Sequence, residues 1–389
     1  MKYALLAFLF VAGVGVLFGQ PASRPTLPVL IPDSTIERLE DHGIRAHTNH
    51  LILFGPEFVG SAPSGETPAS IRVVYNLPSI GGSGTIAIVD AFDYPTAEND
   101  LNVFSSQFGL PACTTANGCF KKVSAGGKKP RSNCGWAQEA ALDIEWAHAM
   151  APSAKIVLVE AASSSFADLF AAVDVAKQQV LNSNLMGEVS MSWGGSEFSS
   201  EGSNDSHFTG SGVVYFASSG DTGGVRIYPG VSPNVVSAGG TTINRDTNGK
   251  FVSETGWSGS GGGPSQFEPR PSYQDGIAGI VGTHRGSPDF SFDADPNSGV
   301  SVYDSTSCQG FSGWLVFGGT SVSSPSLAGI VNLAGGGTSS ASVLTTIYGN
   351  LGNANYFRDI LTGTAGTFSA AVGWDFVTGV GSNQGLNGK

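Results

Sequence analysis

Two carboxylates, Glu139 and Asp143, stand four residues apart in WAQEAALDIEWAHAM, the stretch Trp136–Met150. Apolar residues recur there at helical spacing and no Gly or Pro intervenes before Pro152, so the stretch predicts a helix. Four residues turn a helix by roughly 400°, which leaves the two acids about 40° apart on one face. A surface helix usually follows Glu at this spacing with Lys or Arg, because like charges repel. Here the neighbours are Ala, Leu, Ile and Trp. If that face is buried, the acids cannot both ionise and would share a proton, which suits general acid/base work. The bland alternative is a pair of solvated acids on an ordinary amphipathic helix.

A candidate nucleophile lies far downstream. Gly318–Pro325 reads GGTSVSSP and leads into the apolar helical pattern SLAGIVNLAG. Ser321 therefore stands at a helix start, where free backbone N–H groups and the helix dipole favour a developing oxyanion. The preceding glycines permit a sharp turn that exposes its hydroxyl. Simple capping of the helix is the commoner reason for a serine there.

The elements that must position these groups follow from composition and rhythm. The 389 residues suffice for one large domain with an N-terminal appendage. Charged residues are only 13%, and the formal net charge is −12. With few Lys and Arg and no basic run, nucleic acid and anionic membranes are excluded as partners. Met1–Gly19, MKYALLAFLFVAGVGVLFG, has the form of a secretory signal cleaved near Gly19–Ala22; the rival, a membrane anchor, fits a longer run without glycines. No later stretch is long and apolar enough to span a bilayer, so a soluble, secreted protein is expected. Nothing indicates an oligomer, so the expectation is a monomer. Four cysteines suit export. Cys113 and Cys119 enclose the turn-rich TTANG, short enough to close as a local disulfide. Cys134 and Cys308 remain and could pair across the fold, although four cysteines allow three connectivities.

Residues 20–69 differ from the rest: Pro-rich PASRPTLPVLIP, the helix-like STIERLEDHG, then RAHTNHLILFGPEF and SAPSGETPAS. They carry His42, His47 and His50, three of the six histidines. This reads as a short pro-segment ending within Gly60–Ser70, where exposed small residues suit proteolytic nicking. From Ile71 the rhythm is strand, helix, strand. TIAIVD (85–90), KIVLVE (155–160), EVSMSW (188–193), GVVYFA (212–217) and 234–238 read as strands; 97–108, the carboxylate stretch and 166–181 read as helices. That alternation indicates an α/β domain with a largely parallel sheet. The Gly/Ser-rich stretch 258–265 reads as an ordered surface loop.

ExxxD in a helix ending before KIVLVE, SSGDTGG at 218–224 and GTSxxxP occur in one order, with IAIVDAFDYPTAENDL, SWGG at 192–195, DPNSGV and the tail FRDI…GWDFVTGVGS. In this the chain, from about Thr67 onward, resembles the sedolisins, the serine-carboxyl peptidases, a variation on the subtilisin fold. The resemblance implies a three-layer α/β domain, spanning 70–389, that hydrolyses protein or peptide substrates at acidic pH. It implies Ser321 as nucleophile, Glu139 as the base that takes its proton and Asp143 as the group orienting Glu139. It makes Asp221 part of the oxyanion hole, and has Ser192, Trp193 and Gly194 bind the substrate backbone as an added strand. Asp90 matches a position supporting the carboxylates through a Trp, here Trp193. It further implies one structural calcium ion held by the side chains of Asp359 and Asp375 and the carbonyls of Ile360, Ala371 and Gly373. Ala371 stands where Gly is usual, which a carbonyl ligand tolerates only with φ below zero. The sequence departs from the family in having only about fifty residues between signal and catalytic domain.

Two rivals are set against this reading. A subtilisin-type triad of Asp90, a His and Ser321 lacks a fitting His: His148 is half a turn from Glu139 on its helix, and His207 and His284 lie in loops. A catalytically inactive, calcium-stabilised exported scaffold would have lost one of Glu139, Asp143, Asp221 or Ser321, and all four are present.

Overall fold

A computed structural model describes residues 28–55, 60–183 and 185–389. The signal-like stretch Met1–Gly19 lies outside the described residues. Eight strands run parallel in one sheet, in the order Ser382–Asn383, Phe290–Asp293, Val236–Arg245, Val213–Ser218, Gly187–Met191, Thr85–Ala91, Lys155–Ala161 and Phe120–Ser124. Phe251–Gly256 and Phe357–Arg358 add antiparallel edges. Thr85–Ala91 and Val213–Ser218 are buried throughout, as expected of strands covered on both faces. Helices Cys134–Met150 and Thr320–Leu333 cover one face and Phe166–Leu181 the other, which gives the expected three-layer α/β architecture. Among the described residues no helix is long and apolar enough to cross a membrane.

The carboxylate helix begins two residues earlier than its apolar pattern, because the Asn133 side chain accepts the Trp136 N–H at 3.2 Å and caps it. It is buried on every side from Gly135 to Met150, so it is a core helix rather than an amphipathic surface one. The serine helix packs tightly on it. A Cβ at Gly329 would stand 2.7 Å from the Met150 Cβ, so only glycine permits this approach. Disulfides join Cys113 to Cys119 and Cys134 to Cys308, the latter tying the start of the carboxylate helix to the strand Val300–Cys308.

Two expectations need correction. STIERLEDHG forms no α-helix but two single 3-10 turns, Asp33–Thr35 and Leu39–Asp41, because it lacks a continuous apolar stripe to bury. The 258–265 stretch is largely buried, with Ser260 bonding the Gly240 N–H and the Val377 carbonyl, and becomes a strand at Gly263. The first α-helix among the described residues, Pro68–Tyr75, is capped by Thr67.

Acids are concentrated inside. Asp90, Glu139, Asp143, Glu145, Glu188 and Asp293 are at most 1% exposed. Burial raises the carboxyls of Asp90, Asp143, Glu145 and Asp293 well above their ordinary range, and that of Glu188 to about 8. The folded chain therefore holds protons that the unfolded chain has released above about pH 4. With more protons bound in the folded state, stability falls as pH rises from there to about 8. The melting temperature should accordingly be highest in acid and drop towards neutrality; scanning calorimetry across that range checks it, and a rise instead would contradict these burial effects.

Candidate active site

The C-terminal ends of the parallel strands converge with the two buried helices, the usual place for a site in a sheet of this kind. Asp90 ends Thr85–Ala91, Ser192 follows Gly187–Met191, and Asp221 follows Val213–Ser218. Glu139 and Asp143 face this edge from their helix, and Ser321 occupies the first turn of Thr320–Leu333. All are buried.

Asp143 Oδ1 accepts the Ser192 hydroxyl at 2.8 Å. Its carboxyl is raised by burial first, then by the charges of Asp90 and Glu139. Burial likewise raises Asp90, with Glu139 and Glu160 adding to it. The three carboxylates thus act on one another through a dry medium. Glu139 Oε1 and Asp143 Oδ2 are both buried, and no other group donates to either. Nor does Trp193 link Asp90 to the pair. Its indole N–H donates to the Val89 carbonyl at 2.8 Å, and both Asp90 oxygens lack partners.

Asp221 is held at the turn by Thr320, whose N–H and hydroxyl donate to Oδ1 at 2.7 and 2.8 Å. Burial pushes its carboxyl up to about 8 against those two bonds, with the Glu139 charge adding to the rise. Its Oδ2 is buried and unpartnered. At acidic pH that oxygen carries a proton and is a donor.

Residues sequence reasoning passed over complete the site. His47–Thr48 pairs antiparallel with Trp193–Ser196, His47 opposite Gly194 and Thr48 opposite Trp193. The Asn49 N–H donates to the Ser192 carbonyl at 3.2 Å and to Glu139 Oε2 at 3.0 Å. The Asn49 carbonyl accepts the Ser321 N–H at 3.0 Å. His50 stacks on Phe317, and its Nδ1 lies 2.9 Å from Glu139 Oε2. The chain then continues as Leu51–Leu53, antiparallel to Phe311–Gly318. The N-terminal segment thus crosses the site as an extended strand, its Asn49–His50 peptide beside Ser321. Ser321 Oγ meanwhile donates to the Ser192 carbonyl at 3.2 Å, and Glu139 Oε2 is taken by the segment. The only sequence signal for this was the three histidines gathered upstream.

The histidines of the rival triad sit elsewhere. His148 bonds the Pro111 carbonyl, His207 bonds Asp174, and His284 is exposed. In the C-terminal loop, Asp359 accepts the Gly373 N–H at 3.0 Å and Asp375 Oδ2 accepts the Ala371 N–H at 3.0 Å. One short loop so joins the two acids. Ala371 has φ below zero, which meets the condition set for a carbonyl ligand there.

No protein-family model matches the chain. It is 32% identical over 175 residues to sedolisin of Pseudomonas sp. strain 101, covering 40% of this chain and 28% of that protein. It is 28% identical over 372 residues to kumamolisin of Bacillus sp. strain MN-32, covering 84% of this chain and 63% of that one. The chain thus spans less than two thirds of either relative. A solved Pseudomonas sedolisin, a serine-carboxyl proteinase complexed with two molecules of pseudo-iodotyrostatin, has the same fold: TM-score 0.70 at 24% identity, covering 83% of this chain and 96% of that one.

The junction of segment and site turns on Gly319. With φ of 99°, its added Cβ would lie 2.2 Å from the Asn49 oxygen and 2.5 Å from Asp221 Oδ2. Gly319→Ala should therefore lower the unfolding free energy by about 1–3 kcal/mol, the usual cost of overpacking. Denaturant titration measures this; an unchanged midpoint would mean that the segment does not pack as described.

Proposed function

The chain belongs to the sedolisin family of serine-carboxyl peptidases, and from that premise we propose that it is a secreted peptidase hydrolysing protein substrates at acidic pH. One observation carries the reading: a peptide carbonyl, that of Asn49, lies against the Ser321 N–H while residues 47–48 pair with the strand at Trp193–Gly194. That is how an extended substrate presents its scissile bond. Ser321 attacks the carbonyl carbon, and Glu139 takes the hydroxyl proton and later returns one to the leaving amine. Asp143 and Asp90 keep a proton within the carboxylate group, so that Glu139 can cycle. The oxyanion is met by the Ser321 N–H and by Asp221 protonated on Oδ2, with Thr320 setting its rotamer.

Residues 20–69 are then a pro-segment following the signal at 1–19, and they hold the precursor shut. Glu139 Oε2 is bonded to Asn49 and His50, and the Ser321 hydroxyl is turned to the Ser192 carbonyl rather than to Glu139. Cleavage within the exposed Gly60–Ala62 would separate this segment from the body beginning at Pro68. The protein is proposed to act as a monomer.

The C-terminal loop fits one calcium ion. Its donors are hard oxygens, which suit that ion, although Asp375 already accepts the N–H groups of Ala371, Val377 and Thr378. The side chains of Asp359 and Asp375 with the carbonyls of Ile360, Ala371 and Gly373 would hold it, and it would brace the loop rather than enter the reaction. Chelation should then lower the melting temperature; unchanged melting with EDTA and no calcium by metal analysis would remove the site.

The reading as a whole is tested by acid digestion of casein. Wild type should digest it, and Ser321→Ala and Glu139→Ala should each lose on the order of 10³-fold or more in kcat; full activity in either variant would return these residues to structural roles. Asp221 provides the pH test. Its carboxyl serves only below about 8, where it is neutral. Asn donates at any pH, so Asp221→Asn should keep activity and extend it towards neutral, while Asp221→Ala should lose about 10²–10³-fold in kcat. Matching pH–rate profiles for wild type and Asp221→Ala would make Asp221 a turn residue only.

A further inference from the structure

The bound segment shows which side chain the cleft accepts before the scissile bond. Asn49 lies at that position, and its Nδ2 donates to Ser218 Oγ at 2.7 Å in a fully buried contact. Ser218 is the last residue of Val213–Ser218, a strand of the central sheet, so its hydroxyl is rigidly placed. We propose that Ser218 is a specificity-determining residue and that the preferred substrates carry a carboxamide, Asn above all, immediately before the bond that is cut. The proposal rests on the peptidase reading given above.

The physical case rests on the Ser218 bond alone, since Asn49 Oδ1 is buried without a partner. Asn49 is the hydrogen-bond partner the structure gives the Ser218 hydroxyl. An apolar side chain in the same place would bury that hydroxyl without one. Sites built to bond a polar group discriminate strongly against analogues lacking it, because the buried partner is then left unsatisfied. Aspartate has nearly the same shape as asparagine, so it separates shape from charge. Ionised, it would bring an uncompensated anion into a pocket already near Glu139 and Asp221. Protonated, its hydroxyl can meet Ser218 Oγ as the amide does. The preference for Asn over Asp should therefore widen as pH rises through the aspartate range, near about 4.

The experiment uses peptides with the sequence of residues 45–53 carrying His50→Ala, which removes the ring that His50 sets against Glu139; in them the Asn is kept or replaced by Asp, Ala or Leu. The acid-incubated full-length protein is assayed on each, with casein digestion run in parallel, and products are identified by mass. Expected are a cut directly after the varied position, a kcat/KM for Asn about tenfold or more above that for Leu, and an Asn-to-Asp ratio that grows several-fold between pH 3 and 6, on either side of the ordinary aspartate value of about 4. In Ser218→Ala the Asn-to-Leu ratio should collapse by about tenfold, a change that general damage to the fold would not produce. Casein digestion with Leu equal to or better than Asn, or an Asn-to-Leu ratio unmoved by Ser218→Ala, overturns the specificity while leaving the peptidase reading intact. If casein also survives, both fall together.

Discussion

Everything at this site depends on keeping carboxylates out of water with little positive charge to balance them. Asp90, Glu139 and Asp143 share one dry layer between a core helix and the sheet edge. Two close anions in such a medium repel strongly, so the group holds protons that exposed acids would release. The same burial makes Asp221 a potential donor. One constraint thus underlies both the proposed chemistry and its proposed acidic range, and the fold supplies it by surrounding the acids with two helices buried on all sides.

The small residues make that burial possible. Gly329 lets the serine helix lie against the carboxylate helix, and Gly319 leaves room where a peptide oxygen and Asp221 come together. Each would be unremarkable in a loop. Here both stand where a single added carbon would collide with backbone or with a fixed carboxylate, so their identity is set by packing rather than by flexibility.

Much of this was legible beforehand, and the reasons differ from one residue to the next. The strand–helix rhythm reads directly because apolar runs such as Thr85–Ala91 are buried on both faces. Glu139 and Asp143 stand out because two acids in an apolar helix break the ordinary pattern. What spacing could not give is distance through space. The carboxylates come near enough to feel each other's charge, and Trp193 turns to the Val89 carbonyl rather than to Asp90. Asn49 and His50 were hidden for a different reason. A polar residue in an N-terminal segment carries no periodic signal, and only the pairing of His47–Thr48 with a distant strand brings them to the site.

The segment is fastened on both sides of the site. Ahead of it, His47–Thr48 is paired with Trp193–Ser196; beyond it, Leu51–Leu53 lies in a sheet beside Phe311–Gly318, the strand that leads into the serine helix. A break between Asn49 and His50 would therefore free neither half. The new amino terminus at His50 would remain anchored by three paired residues, its ring still against Glu139. On the proposed reading, opening the cleft requires peeling two short strands from two different sheets, a task that cutting one bond does not accomplish.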